Sequence, residues 1–317
     1  MLGRDYLHRL PGGYAVSECP QCGIWFQNPR PVVDDLPALY PGDYAPHRTA
    51  TGGTELPGIR PAKARYFRDV LGYRHLPEEP VPILDWRSLP GLDRWRRWRA
   101  GVELVPTFVP GGRVLEVGCG DGRRLLELRR YGWQHLYGLE LVPAAAEVAR
   151  ASGLQIDCCS VEDGLDTYPT AGFDVVIASN LLEHLCRPFD IVREFGRILK
   201  PGGQLLLSTV VRDSLEARWF GRYWDGFDFP RHMTHFRVAD LNDALNGSFR
   251  DVEYFHQPAP QSFARGFRWR RESGDGRVYD RLAADAWSSR FGATLSTLLA
   301  LGGFGGRISC RCRRRLD

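Results

Sequence analysis

Lysine is nearly missing from this chain: Lys63 and Lys200 are the only two among 42 basic residues, and the other 40 are arginines. The skew says little about function, because the net charge of +4 over 317 residues is mild. That balance argues against a nucleic-acid coat and against a strong electrostatic membrane anchor. No charged-then-apolar leader opens the sequence. The most apolar late stretch, ATLSTLLALGGF from Ala293, is too short to span a bilayer. There is no internal repeat and no low-complexity block. Eight cysteines without a secretory leader read as reduced thiols or metal ligands, so the expected compartment is the cytoplasm. A hydrophobic share of 43% with 12% aromatics supplies a sizeable core and excludes wholesale disorder.

Four regions follow from texture. Residues 1–50 are turn-rich and hold the knuckle Cys19-Pro20-Gln21-Cys22, an incomplete zinc-ribbon-like segment. Residues 51–110 read as a linker with cap helices, including the run RWRRWRA, where Trp95 and Trp98 stand one helical turn apart. Residues 111–256 alternate short apolar runs with amphipathic stretches, the pattern of parallel βαβ units. Residues 257–317 read as a helical insertion followed by a closing strand, RISCRCR, which is expected to pair with DVEYFHQ. Within the third region RVLEVGC, HLYGLEL, LQIDCCS, FDVVIASN and QLLLSTVV are strands, and helices lie between them. The result is a doubly wound α/β sheet, with ligands expected at the carboxyl ends of the central strands.

The strongest local signal is VLEVGCGDG, Val114 to Gly122. Gly118, Gly120 and Gly122 follow the first strand and open a helix, so a ligand can approach the backbone closely. Glu140 ends the second strand 20 residues after Gly120, where a carboxylate can accept both hydroxyls of a ribose. Arg123 stands where a dinucleotide-binding loop needs its third small residue. Glu116 inside the loop argues for a ligand carrying a positive group.

On these residues the chain resembles the class I S-adenosylmethionine-dependent methyltransferases, over about 150 residues. Further on, the Trp…PRH…HF pattern that ends in Pro230-Arg231-His232 and His235-Phe236 resembles a subgroup related to ubiquinone-biosynthesis O-methyltransferases and sugar methyltransferases. The resemblance implies a seven-stranded Rossmann-like sheet of order 3-2-1-4-5-7-6. It implies S-adenosylmethionine as cofactor, held by Glu116, Gly118, Gly120, Gly122, Glu140 and the adjoining Leu141. Val161 and Glu162 of SVED would flank the adenine, and Asn180 of SNLLEHL would face the sulfonium. LKPGGQLLLST matches the family's turn into the fifth strand.

Methyl transfer from a sulfonium is an in-line displacement, so alignment and exclusion of water dominate. A base is needed only when the acceptor must lose a proton. His184 and His232 are the candidates, each weighed against a structural role as a loop hydrogen-bonding histidine. His232 lies in WFGRYWDGFDFPRHMTHF, Trp219 to Phe236, an aromatic segment after the fifth strand that suits an organic acceptor. Trp224, Phe227, Arg231 and His235 are its candidate acceptor contacts, with His235 also read as structural.

The activity expected is therefore methylation of a small organic acceptor, a sugar, phenol or isoprenoid-like compound, with O- and C-methylation both open. Two other classes compete: a cofactor-binding scaffold without turnover, and an RNA-modifying methyltransferase. An Asn/Asp-Pro-Pro-Tyr sequence does not follow the fourth strand, which counts against methylation of base amines, and nucleic acid is not the expected partner.

Zinc would need four ligands, and Cys19 and Cys22 supply two. Relatives with this amino-terminal arrangement often carry two C-x2-C pairs before a segment like QNPRPVVDDLPALYPGDY, Gln27 to Tyr44 here, whereas only 18 residues precede Cys19. A further segment upstream, a lost metal, or completion in space by His8, His47, Cys310 or Cys312 would each account for the half-site. The expectation is against zinc in this chain, with Cys310 and Cys312 read as small core residues.

Overall fold

A computed structural model describes residues 2–7, 9–31, 39, 61–76 and 104–316. His8, His47, the RWRRWRA run and most of the QNPRPVVDDLPALYPGDY segment lie outside those residues.

Three short strands come first: β1 (Leu2–Gly3), β2 (Tyr14–Glu18) and β3 (Trp25–Gln27). The C-x2-C knuckle is the loop of the β2–β3 hairpin. Gly23 N–H donates to the Cys19 carbonyl and Cys19 N–H to that of Ile24. Gly23 has φ +71°, a left-handed turn that glycine adopts at little cost. Helix α1 (Pro61–Leu71) follows, with proline at its first turn.

The apolar runs of the third region then become strands in turn. They are β4 (Arg113–Val117), β5 (His135–Glu140), β6 (Gln155–Cys158), β7 (Phe173–Ser179) and β8 (Leu199–Val210). Between them run α2 (Arg123–Arg130), α3 (Pro143–Ala151), α4 (Val161–Gly164) and α5 (Pro188–Ile198). After β8 come α6 (Leu215–Phe220), the two-residue β9 (Thr234–His235), α7 (Val238–Asn246) and β10 (Phe249–Gln257). Three helices, α8 (Pro260–Glu272), α9 (Asp280–Trp287) and α10 (Arg290–Leu301), precede the last strand, β11 (Arg307–Arg314).

The large sheet has the order β6-β5-β4-β7-β8-β11-β10. Counted from β4 this is the expected 3-2-1-4-5-7-6, with a helical insertion before the closing strand. β4 to β8 run parallel, and β11 enters antiparallel between β8 and β10. Val175, Val176, Ile177 and Ala178 of β7 are wholly buried, as expected of a central parallel strand covered on both faces. One helical layer packs Leu125, Leu128, Ala146 and Ala149 with Phe67, Leu71 and Tyr73 on one face. Ile191, Val192, Phe195, Leu241 and Leu245 cover the other, together with Cys310 and Cys312, which are core residues.

KPGG is expected to be a tight turn into β8. In the register, Phe173 faces Leu199 and Val175 faces Gln204, so residues 200–203 bulge outward within a longer strand. Asp174 secures the bulge by accepting from Lys200 Nζ at 2.8 and 2.9 Å.

β1, β2 and β3 form a second sheet whose last member is β9, with Trp25 opposite His235. The amino-terminal strands are thereby joined to the segment that follows β8. Among the described residues no helix is long and apolar enough to cross a membrane.

Candidate active site

The carboxyl ends of β4 and β5 meet at the glycine loop. Gly118 N–H donates to the Leu139 carbonyl at 2.8 Å and so ties the loop to β5. Gly122 must be glycine twice over: its φ is +77°, and an added Cβ would lie 2.4 Å from Leu154 Cδ1. That close approach lets α2 begin directly against α3 and points the loop's backbone toward the space above the sheet.

Glu140 is buried there with both oxygens fixed. Oε2 accepts from Gly120 N–H at 2.7 Å and Oε1 from Val142 N–H at 2.9 Å. A carboxylate offers about four lone-pair sites, so each oxygen keeps capacity for a ribose hydroxyl. Glu116 is also buried. Its Oε1 accepts from Arg124 Nε at 2.8 Å, while Oε2 has no hydrogen-bond partner. Burial pushes its carboxyl up to about 7, against the pull of the Arg124 charge. An unpaired carboxylate oxygen at the strand end is costly unless a positive group meets it, and the ammonium of an amino-acid moiety supplies one. The residues present thus fit S-adenosylmethionine at both its ribose and its amino-acid end.

The remaining cofactor candidates surround the same strand ends. Leu141 is half-buried just after β5. Val161 is buried and Glu162 half-buried at the start of α4, which Ser160 caps by accepting from Asp163 N–H at 3.1 Å. Asn180 is exposed at the end of β7 with φ +48°, its N–H donating to the Ser208 carbonyl at 2.8 Å.

The segment after α6 packs its rings into a core cluster with Phe263, Phe267 and Trp269. Trp224, Phe227 and Phe229 are buried, and Phe227 stacks parallel on Phe229 at 5.5 Å between centroids. Trp224 meets Phe227 edge-on at 5.2 Å. Trp219, which the sequence groups with these rings, is instead 53% exposed and lies outside that cluster. Its place in α6 turns it away from the side on which Phe220 packs against Phe263 and Phe267.

Arg231 is fully buried, and its donors are taken by protein acceptors. Nη2 donates to Asp228 at 2.6 Å and to Asp5 at 3.1 Å, Nη1 to Asp5 at 3.3 Å, and Nε to Asp228 at 3.1 Å. Asp5 follows β1 and Arg231 precedes β9, so this ion pair ties together two ends of the smaller sheet. His235 is buried against Phe227, ring to ring at 5.0 Å, with neither nitrogen hydrogen-bonded. Burial, helped by His232 and Arg212, pushes it down to about 3 and keeps it neutral.

His184 and His232 are brought together, ring centroids 4.6 Å apart and perpendicular. His184 Nδ1 is 3.1 Å from the Arg231 carbonyl, and His232 Nδ1 is 2.8 Å from that of Gly226. Burial and the neighbouring His232 push His184 down to about 3. Glu183 lies against both histidines, and Thr209 Oγ1 donates to its Oε2 at 2.7 Å. Sequence reasoning did not single out Glu183, Asp228 or Asp5. For Glu183 the signal was present, an acid adjoining a histidine just after a buried strand. For Asp5 there was none, since it stands 226 residues from its partner.

Cys19 and Cys22 sit at the rim of the smaller sheet, with Cys19 half-buried and Cys22 exposed. Backbone N–H groups of Cys22 and Gln21 lower the Cys19 thiol. Among the described residues no third cysteine, histidine or carboxylate joins the pair in a ligand-like group.

Residues 92–248 match the model of a methyltransferase domain family. The chain is 44% identical over 108 residues to the ubiquinone biosynthesis O-methyltransferase of Xanthomonas oryzae pv. oryzae, covering 32% of this chain and 44% of that protein. The protein of the same description from Xylella fastidiosa is 41% identical over 119 residues, covering 35% and 48%. The chain thus spans less than half the length of the curated relatives it matches. A solved S-adenosylmethionine-dependent methyltransferase from Thermotoga maritima aligns at 18% identity and a TM-score of 0.46, covering 79% of this chain and 98% of that one.

Proposed function

Since residues 92–248 are a class I S-adenosylmethionine-dependent methyltransferase domain, we propose that the chain transfers a methyl group to a small organic acceptor. The observation that carries this is the paired carboxylates at adjacent strand ends: Glu140 fixed by two backbone N–H groups, and Glu116 with one buried oxygen unpaired. S-adenosylmethionine supplies a methyl already activated on a sulfonium. Glu140 would hold its ribose and Glu116 its ammonium. Gly118, Gly120 and Gly122 would let it lie on the backbone, Leu141, Val161 and Glu162 would enclose the adenine, and Asn180 would face the sulfonium.

The acceptor would lie between Asn180 and the wall built by Trp224, Phe227 and His235, close to His184 and His232. Aromatic rings with a few polar atoms suit a sugar, phenol or isoprenoid-like compound better than a nucleic acid. The net charge of +4 gives an RNA-binding reading no support. Arg231 in this arrangement anchors the wall and does not reach the acceptor, because Asp5 and Asp228 already take its donors. All eight cysteines are free thiols, which supports a cytoplasmic enzyme. Among the described residues no further ligand joins Cys19 and Cys22 in a group that could hold zinc.

The test is to incubate the protein with S-adenosylmethionine tritiated on the methyl group and a cell extract, then fractionate. Label in the small-molecule fraction is expected. Label in RNA would overturn the acceptor class, and binding without any transfer would favour the scaffold reading.

A further inference from the structure

The carboxylate of Glu183 is completely buried, and the cofactor arrangement above leaves it without a task. Oε2 is held by Thr209, and Oε1 has no hydrogen-bond partner. A dry, unpaired carboxylate oxygen is costly unless a proton or a positive charge comes to it. The group beside it is His232: one nitrogen each of His232 and His184 and one oxygen of Glu183 lie within 4.8 Å of one another. His232 Nδ1 faces the Gly226 carbonyl at 2.8 Å. A carbonyl only accepts, so Nδ1 carries a proton and Nε2 is the nitrogen left to take one.

Resting on the methyltransferase reading, we infer that Glu183 and His232 are a proton-accepting pair for a hydroxyl-bearing acceptor, His232 Nε2 as base and Glu183 as the positioning residue that stabilises its protonated form. The acceptor oxygen gives its proton to Nε2 and takes the methyl, and the electron pair of the broken carbon–sulfur bond stays on sulfur. The imidazolium so formed lies between the Gly226 carbonyl and Glu183.

The other charged and titratable neighbours leave this role to Glu183. Asp228 Oδ2 is 3.8 Å from Nε2 but already receives Arg231. His184, on the same turn as Glu183, and His235, on β9, are both kept neutral by burial. Burial raises the Glu183 carboxyl, and the charge of His232, the Thr209 hydrogen bond and the more distant Arg307 on β11 pull it back toward the ionised form. Thr209 on β8 holds one oxygen of the carboxylate and leaves the other without a hydrogen-bond partner.

The test needs no identified acceptor. Ring resonances of His232 are titrated by NMR in the intact protein without and then with a chelator, for the wild type, Glu183→Gln, Glu183→Asp and Thr209→Val. The pKa of His232 is expected to fall by at least about one unit in Glu183→Gln, because a nearby negative charge is removed. Glu183→Asp should recover part of the loss. Thr209→Val should give a smaller fall, since the carboxylate then loses a hydrogen bond that favours its charged form. A change under about 0.3 unit in a folded Glu183→Gln variant, well inside the usual spread, would overturn the pairing. Should that variant not fold, Thr209→Val decides, and an unchanged or raised pKa there overturns it. A His232 that titrates only once the chelator is added would show an ion in place of the proton, with the same consequence. Calorimetry with S-adenosylmethionine runs beside this: a wild type that binds none refutes the methyltransferase reading, whereas an unmoved titration refutes only the pair.

Discussion

Arg231→Met removes the cation from the ion pair that joins the amino-terminal segment to the stretch leading into β9. Arg231 is 0% exposed, and its side-chain partners are 1% exposed at Asp5 and 11% at Asp228. Taking one partner from a buried pair strands the others, and the usual cost is about 3–5 kcal/mol. Asp228 loses its cation, while Asp5 keeps the Leu7 and Leu10 N–H groups, so the expectation lies within that range at pH 7. The loss should depend on pH. Burial alone would raise Asp228, but hydrogen bonds and charge from Arg231, with His232, hold it below the ordinary carboxylate value. A carboxylate lowered by folding contributes stability above its unfolded pKa and loses it as pH falls through the folded one. In the variant Asp228 shifts upward and is relieved by protonation, so the gap between variant and wild type should narrow as pH falls from 7 toward 4. Urea denaturation at several pH values measures both quantities. A loss below about 1 kcal/mol, typical of an exposed pair, or a gap that ignores pH, would refute this account of Arg231.

Gly122→Ala should destabilise by roughly 2–5 kcal/mol, combining about 1–2 for a left-handed alanine with about 1–3 for overpacking, and should weaken cofactor binding; thermal unfolding and calorimetry check both. Glu116, raised to about 7 by burial, must lose its proton to pair with an ammonium. Affinity for S-adenosylmethionine should therefore rise between pH 6 and 8 in the wild type and stay flat in Glu116→Gln, as measured by calorimetry in buffers of different ionisation enthalpy. Glu216 is raised to about 7 by burial, with Asp225 adding to it, and its contribution to stability is lost as pH rises through that value. Glu216→Gln should accordingly lose less stability than the wild type between pH 5 and 8, as denaturation at each pH would show.

The sheet order and the glycine loop were legible because both are written locally. Each central strand is a short apolar run, each helix has its own period, and the loop's glycines sit next to the strand they end. The bulge at residues 200–203 was read as a simple turn because KPGG carries turn chemistry, while its register against β7 is set by a different strand. The second sheet left almost no sequence trace. β9 is two residues long, too short for a period, and β3 reaches it from more than 200 positions away. The same distance hides Asp5 from Arg231, so an arginine in an aromatic segment reads as an acceptor contact until its partners are seen. The knuckle shows the reverse case, a conspicuous local pattern whose loop the structure places on a β-hairpin.

The central claim is that Glu140 and the loop from Glu116 to Gly122 hold S-adenosylmethionine, and calorimetric binding to the wild type and to Glu140→Ala tests it most directly. Two charge-assisted hydrogen bonds to ribose, each about 1.5–3 kcal/mol, predict that the variant binds at least about a hundredfold more weakly than a clearly binding wild type. Equal affinity in the two proteins, or no binding by either, would contradict it.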